Sequence, residues 1–237
     1  MTRRRWIADE VSGNRAILTG EHADHLIKVL RARVGQGFDI ATGDRVRQGC
    51  IVSIADHRVE FELGDEVVSA IDARLTIFLA VFKFDRLEWA IEKCTELGVA
   101  RIIPVLAHRT EKHLAAASQK RVERWRRLAL QAAEQSRRIA PPEIASPMRL
   151  HEAMEDPGEL RIVLAESVQN TSLNDVVAKR SGAKDILLAI GPEGGWTEDE
   201  LGHFQKAGWT SASLGSAILR AETAAIAATA IVLANID

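Results

Sequence analysis

The 237-residue chain has no apolar run near the roughly 20 residues a helix needs to cross a bilayer, which excludes a helical membrane span. Its first residues are basic and lack the apolar core of a signal peptide, so the expected location is cytoplasmic. Cysteine is scarce: Cys50 and Cys94 are the two present, far apart and outside any Cys-x-x-Cys pair, which argues against a disulfide framework and a thiolate zinc site. His22 and His25 stand three apart on an expected helix but lack the acidic partner of a His-Glu-x-x-His pattern. They read as surface or packing side chains, and no metal is expected. Charge of one sign is not in excess, since the formal net charge is -2; affinity for a polyanion must come from local patches. Nucleotide signatures are missing as well. No Gly-Lys-Ser/Thr follows a glycine turn, and Gly35-Gln36-Gly37 lacks the third glycine of a dinucleotide loop, so it reads as a turn.

A hydrophobic content of 46% suffices for a packed core, and the chain is organised around residues 186–223. Ile186-Leu187-Leu188-Ala189-Ile190 is an uninterrupted apolar run of strand length, as in a parallel sheet covered on both faces. Gly191-Pro192-Glu193-Gly194-Gly195 follows at once, a turn whose backbone a ligand can approach closely. Thr197 and Glu200 have capping-box spacing for a helix that Gly208 can close. The plan then repeats, with a strand over 209–214, a turn at Gly215-Ser216, and an alanine-rich last helix from Glu222-Thr223. Parallel sheets bind ligands beyond the carboxyl ends of their strands, so the two glycine turns form the candidate site. The alternative is that the glycines only let the chain turn.

Residues 1–68 read as a small β-rich unit, with runs at 5–8, 16–18, 38–41, 49–54 and 58–63 separated by turn signals. One helix, 21–31, interrupts them with an apolar face of Leu26, Val29 and Leu30. A small barrel is the natural closure. Residues 64–72 form an acidic, weakly patterned link. From residue 73 strand and helix alternate: strands at 75–82 and 101–106, helices at 85–97 and 119–139, and short elements at 150–154, 162–165 and 172–179. Such alternation means a parallel sheet with covering helices.

Basic residues cluster in two places. Arg3, Arg4, Arg5, Lys28, Arg31 and Arg33 make the first unit locally basic, and Lys112, Lys120, Arg121, Arg124, Arg126, Arg127, Arg137 and Arg138 outnumber Glu123 and Glu134 along the long helix. A solvated face explains either cluster alone; together they favour RNA.

Several segments then resemble one family. Gly191-Pro192-Glu193-Gly194-Gly195, Leu214-Gly215 and Ile218-Leu219-Arg220-x-Glu222-Thr223-Ala224 are similar to the C-terminal motifs of RsmE-type methyltransferases of the SPOUT superfamily. Lys83-x-Asp85-Arg86-x-Glu88, Thr95-Glu96-Leu97-Gly98-Val99, Ile103-Pro104, Ala133-Glu134-Gln135-Ser136-x-Arg138 with Pro142, and His25-Leu26-x-Lys28-Val29-Leu30-Arg31 resemble its other signatures in the same order. The resemblance covers nearly the whole chain. One departure is Ala217, at a position where the family usually carries arginine.

The resemblance implies an α/β fold: a knotted, mainly parallel-sheet SPOUT methyltransferase domain over 73–237, preceded by a small PUA-like β-barrel for RNA binding over 1–68. It implies methylation of uridine N3 in 16S ribosomal RNA, free or within the small ribosomal subunit, with S-adenosyl-L-methionine as cofactor, by a homodimer. The small-residue face of Ala224, Ala225, Ala227 and Ala228 suits close helix packing, between chains or within one. The cofactor loops, carried over by position, hold Leu164, Ala165 and Glu166; Gly191, Pro192, Glu193 and Gly194; and Leu214, Gly215, Ile218, Leu219 and Thr223. Uracil N3 must lose a proton before it attacks, and Arg220 is the first choice to stabilise the anion because a guanidinium stays charged. Glu222, Glu193 and Glu166 are candidate bases; a carboxylate at Glu222 also suits a helix N-terminus. Arg4, Lys28, Arg31, Arg124, Arg127 and Arg138 are the expected RNA contacts. Two other readings stay open: a SPOUT enzyme acting on a ribose 2′-hydroxyl, and a non-catalytic RNA-binding protein of ribosome assembly.

Overall fold

The structure is a computed structural model, and it describes residues 5–43, 45–69, 74–136, 138–168, 171–180 and 182–236. Arg3, Arg4 and Arg137, expected among the basic residues, lie outside the described residues. The chain divides into two compact units, Met1–Ile71 with Ala133–Pro141, and Asp72–Ala132 with Pro142–Asp237.

The first unit holds strands β1 (Arg5–Ile7), β2 (Glu10–Ser12) and β3 (Arg15–Thr19), helix α1 (Gly20–Asp24), and strands β4 (Gly37–Ala41), β5 (Arg45–Ala55) and β6 (Arg58–Ser69). They form one sheet in the order β1-β4-β5-β6-β3-β2, antiparallel except for the β1–β4 pair. β1 and β2 stand at opposite edges, yet only Ala8 and Asp9 separate them in the chain. Ala8 donates its amide to Ala41 O at 2.9 Å and Asp9 to Ile17 O at 3.0 Å, one bond to each edge. The sheet must therefore curl on itself. Leu18, Ile40, Ile51, Phe61 and Leu63 alternate inward to fill it, with Leu26 from the helical segment.

Two expectations for this unit are corrected. The helix expected over 21–31 is α1 followed by a π-helical turn, His25–Val29, and ends there. Leu30 donates to His25 O, five residues back, at 3.0 Å, and Arg31 is left-handed at φ 50°. The wider turn shifts the phase of the apolar face, so Leu26 stays buried while Val29 is 65% exposed. Of the acidic stretch expected as a link over 64–72, residues 64–69 are instead the end of β6, paired to β5 through Arg47↔Glu66 and Arg45↔Ser69, and residues 70–72 lie outside the described residues. Register shifts beside Arg47 blur its alternation, and the Arg47 guanidinium donates to Gly64 O at 2.9 Å and Leu63 O at 3.1 Å.

The second unit contains β7 (Arg74–Ala80), α2 (Phe84–Leu97), β8 (Arg101–Leu106), α3 (Lys112–Ser118), α4 (Val122–Gln135), β9 (Glu143–Ile144), β10 (Met148–Arg149), α5 (Leu150–Ala153), β11 (Leu160–Leu164), α6 (Leu173–Ala178), β12 (Asp185–Ile190), α7 (Glu198–Lys206), β13 (Thr210–Ala212) and α8 (Ala221–Ala234); the last turn of α4 falls in the first unit. The seven-stranded sheet is parallel throughout, in the order β10-β8-β7-β12-β11-β13, with β9 on β8. Each central strand is buried on both faces. Leu75, Ile77, Leu79, Ile186, Leu188 and Ile190 pack in one core with Ile91, Trp125 and Val232 of α2, α4 and α8. Phe78, Leu187 and Ala189 pack in the other with Trp196, Phe204 and Trp209. The single helix expected over 119–139 is α3, a 3₁₀ turn at Gln119–Arg121, and α4, which stops at Gln135. Arg138 N bonds Ala133 O at 2.8 Å just beyond it. Among the described residues no helix is long and apolar enough to cross a membrane.

Candidate active site

Neighbouring strands β7 and β12 of the sheet send their connections to opposite sides: β7 leads to β8 on one side, and β12 leads through α7 to β13, beyond β11, on the other. Crevices form beyond the carboxyl ends at such a switch point. A cleft of about 680 Å³ occupies that place, walled by residues 164–167 after β11, 190–196 after β12, and 212–221 after β13. Lys83 and Arg86 after β7 and Arg109 after β8 complete it. Of the residues expected to hold a cofactor, Leu164, Ala165, Glu166, Gly191, Pro192, Glu193, Gly194, Leu214, Gly215, Ile218 and Leu219 line this cleft, and so does Arg220. Glu222 and Thr223 do not line it. Glu222 is 7% exposed behind the wall, and Thr223 is exposed on α8.

The walls are fastened to one another by contacts that span the chain. Gly191 lies so near Trp196 that an added Cβ would stand 3.2 Å from the indole nitrogen. That indole N–H donates to Leu164 O at 3.1 Å, tying the glycine turn to the end of β11. Gly195 is left-handed at φ 68° and donates to Pro192 O at 2.8 Å, which closes the turn. Outside it, the Arg109 guanidinium donates to the Gly194 and Trp196 carbonyls, and Arg86 Nη1 donates to Glu193 Oε1 at 2.7 Å. The capping box forms as expected: Glu200 accepts from the Thr197 amide at 2.8 Å and the Thr197 hydroxyl receives the Glu200 amide at 3.2 Å. The second oxygen of Glu200 accepts the His108 amide at 2.7 Å, so this buried carboxylate also anchors the loop after β8.

The third wall is different in kind. Gly215 is left-handed at φ 114°, and from residue 214 to 219 no main-chain hydrogen bond is made among the described residues. Residues 214–219 all line the cleft, so their main-chain bonding capacity is left for water or a ligand. Arg220 caps α8 at its N-terminus, where it is exposed.

Other expected residues fall elsewhere. Lys28 Nζ is held by Asp24 Oδ2 at 3.0 Å. Arg124 Nε is held by Glu88 Oε1 at 2.8 Å on α2, while Arg127 is exposed. Arg138 is half-buried, and that burial pushes its guanidinium down to about 10. His22 is a packing histidine of the first unit, with Nε2 at 3.1 Å from Glu134 Oε2 and its ring 6.1 Å from that of Trp6. Cys94 is buried with its thiol pushed up to about 12 by desolvation, beside the Thr229 hydroxyl. Ala225 and Ala228 are buried in the core of their own chain. Arg86, Arg109 and Trp196 were absent from the expected site. Arg86 stood in the Lys83-x-Asp85-Arg86 motif and Trp196 directly after the glycine turn, but Arg109 left no local signal.

Fold and cleft together define an α/β domain that presents main-chain loops to a small ligand at the switch point of a parallel sheet. The description "RNA methyltransferase domain" matches residues 70–233. The ribosomal RNA small subunit methyltransferase E of Rickettsia conorii is 31% identical over 232 residues, which is 96% of this chain and 93% of that protein. The protein of the same name from Synechocystis is 31% identical over 217 residues, covering 90% and 71%. A crystal structure of ribosomal RNA small subunit methyltransferase E from Neisseria gonorrhoeae bound to S-adenosyl methionine is similar with a TM-score of 0.83 and 28% identity, covering 96% of this chain and 95% of that one. The chain belongs to the RNA methyltransferases and, within them, to the ribosomal RNA small subunit methyltransferase E family.

Proposed function

We propose that this chain methylates N3 of a uridine in 16S ribosomal RNA, with S-adenosylmethionine as the methyl donor, and that it does so in the cytoplasm as a homodimer. The observation that carries the reading is the cleft of about 680 Å³ whose third wall, from residue 214 to 219, has main-chain groups with no main-chain hydrogen-bond partner among the described residues. Its volume lies within the roughly 300–1,000 Å³ of small-molecule sites. The fit to this cofactor rests on the same features: Gly215, with nothing within 4 Å of where a Cβ would stand, leaves the backbone open to close approach, and free amides and carbonyls suit the edges of an adenine and a ribose. The Neisseria gonorrhoeae protein is bound to S-adenosyl methionine, which supports the same ligand here. When bound, the cofactor supplies an electrophilic methyl group on a sulfonium.

The chain's own residues do the rest. Leu164, Ala165 and Glu166, the turn from Gly191 to Gly194, and Leu214, Gly215, Ile218 and Leu219 hold the donor in one orientation, which is where displacement chemistry gains most. Arg220, exposed at the mouth of α8, meets the uracil oxygens and stabilises the ring as N3 gives up its proton. Glu166 and Glu193 line the cleft and are the nearer bases; Glu222, walled off from it, acts on the loop rather than on the proton. The N-terminal unit, residues 1–68, serves as the RNA-binding barrel, of PUA-like type, with Lys28 and Arg31, and residues 73–237 form the methyltransferase domain, to which Arg124 and Arg127 add basic charge. We read the last strands and α8 as a trefoil knot, a reading supported by β12 lying inside the sheet between the earlier strands β7 and β11. Titration calorimetry with S-adenosylmethionine tests the reading. Saturable binding at one site per chain is expected, and a folded chain without heat of binding overturns it.

A further inference from the structure

We infer that Arg86 is the positioning residue of this site: it locks the cofactor turn and the start of the final helix into one unit, and so sets where Arg220 points. The inference rests on the methyl-transfer reading above and deepens it.

Arg86 sits in the first turn of α2 and is half-buried. Its Nη1 donates to Glu193 Oε1 in the glycine turn at 2.7 Å. From the other side its Nε stands 3.8 Å from Glu222 Oε1, in the first turn of α8. One guanidinium thus joins three distant stretches of chain. Glu193 lines the cleft and is exposed, so its bond to Arg86 orients a cofactor wall. Glu222 is buried, and its Oε2 has no hydrogen-bond partner among the described residues. The Arg86 charge is the cation beside that carboxylate. Removing one partner of a buried pair leaves the other charge uncompensated, and the segment that carries it has to move to find water. Here that segment begins with Arg220, the residue immediately before α8. Arginine suits the task better than lysine, because its rigid fork presents Nη1 to Glu193 and Nε to Glu222 from fixed directions, whereas an ammonium is one point charge that cannot sit at both places at once.

The two contacts then have separate readouts. The Glu193 contact shapes the turn that holds the donor, so it reads in cofactor affinity. The Glu222 contact aims Arg220, so it reads in transfer rate at saturating cofactor.

Two double-mutant cycles on the full chain, with S-adenosylmethionine as the probe, test this. Arg86→Gln is expected to weaken cofactor binding by about tenfold, as expected for loss of one charge-assisted bond, and to slow transfer further when the cofactor is saturating. Adding Glu193→Gln to it should cost no more affinity, and adding Glu222→Gln should restore part of the transfer rate by removing the stranded charge. Arg86→Lys should recover part of one function, not both, and it carries the first cycle if Arg86→Gln does not fold. Arg101→Gln is the control, since Arg101 pairs with Glu143 and Asp156 at the opposite end of the sheet; it should lower thermal stability and leave affinity and rate unchanged. Additive losses in both cycles, wild-type affinity and rate in Arg86→Gln, or equal losses of affinity in Arg101→Gln overturn the inference alone. A wild-type chain that binds no cofactor overturns the parent reading and this inference with it.

Discussion

Arg220 and the glycines around the cleft carry the chemistry at the scale of single residues. Arg220→Ala should lower methyl transfer by about 10²- to 10³-fold, the usual cost of one donor aimed at developing charge, while cofactor affinity stays close to wild type. Single-turnover transfer at saturating cofactor beside the cofactor dissociation constant measures both; equal loss in the two would reduce Arg220 to a loop residue. The glycines separate in a second comparison. A side chain at Gly194 meets Arg109 Cδ at 3.2 Å, the stem of an exposed side chain that can swing away, so Gly194→Val should fold normally but release the Arg109 clamp on the Gly194 and Trp196 carbonyls and with it lose cofactor binding. At Gly191 it meets the buried Trp196 indole, and Gly191→Val should also destabilise the fold by about 1–3 kcal/mol, as overpacking does. Circular-dichroism melts and calorimetry together distinguish them; a stable Gly191→Val variant contradicts the packing argument. The glycine turn was legible in the sequence because its pattern is local. The clamps from Arg86 and Arg109 were not, since they arrive from 107 and 85 residues away.

Among the elements, α4 and α1 make different demands on their charges. Arg127 is exposed, whereas Arg124 is held by Glu88, so Arg127→Glu should weaken RNA binding and reduce its salt slope by roughly one. Arg124→Glu should do so less cleanly, because it also sets two carboxylates face to face. An unchanged slope for Arg127→Glu would return this helix to a solvated face. In the first unit, hydrogen bonding to Glu134 raises His22 above its ordinary value of 6.5, assisted by the charges of Glu134, Asp9 and Glu21 against the opposing effect of burial. A pKa raised in the folded state gives stability that is fully present below 6.5 and is lost as pH rises through the folded value. The stability difference between wild type and His22→Gln should therefore be largest in mildly acidic buffer and shrink towards alkaline pH. Denaturant unfolding followed across that range checks it, and a difference that grows with pH contradicts the pairing. Helix starts and stops were readable where caps are local, as at Thr197 and Gly208. The π turn after α1 and the continuation of β6 were not, because a widened turn and a bulged register both disguise the period on which reading depends.

At the scale of the whole chain, the alternation of strand and helix announced a parallel sheet, and apolar runs without polar breaks announced strands covered on both faces. Strand order stayed hidden. Nothing local in Ile186-Leu187-Leu188-Ala189-Ile190 says that it enters between β7 and β11, a matter of long-range pairing. That order brings the segments after five strands to one cleft, and it also decides which residues are cleft and which are wall: Arg220 in front, Glu222 behind. The most direct test of the account is the product itself. Purified protein, isotopically labelled S-adenosylmethionine and either 16S ribosomal RNA or small ribosomal subunits, followed by digestion to nucleosides and mass spectrometry, should yield labelled N3-methyluridine with the wild-type chain and almost none with Arg220→Ala. A label on a ribose 2′-oxygen, or no labelled nucleoside from a chain that binds the cofactor, contradicts it.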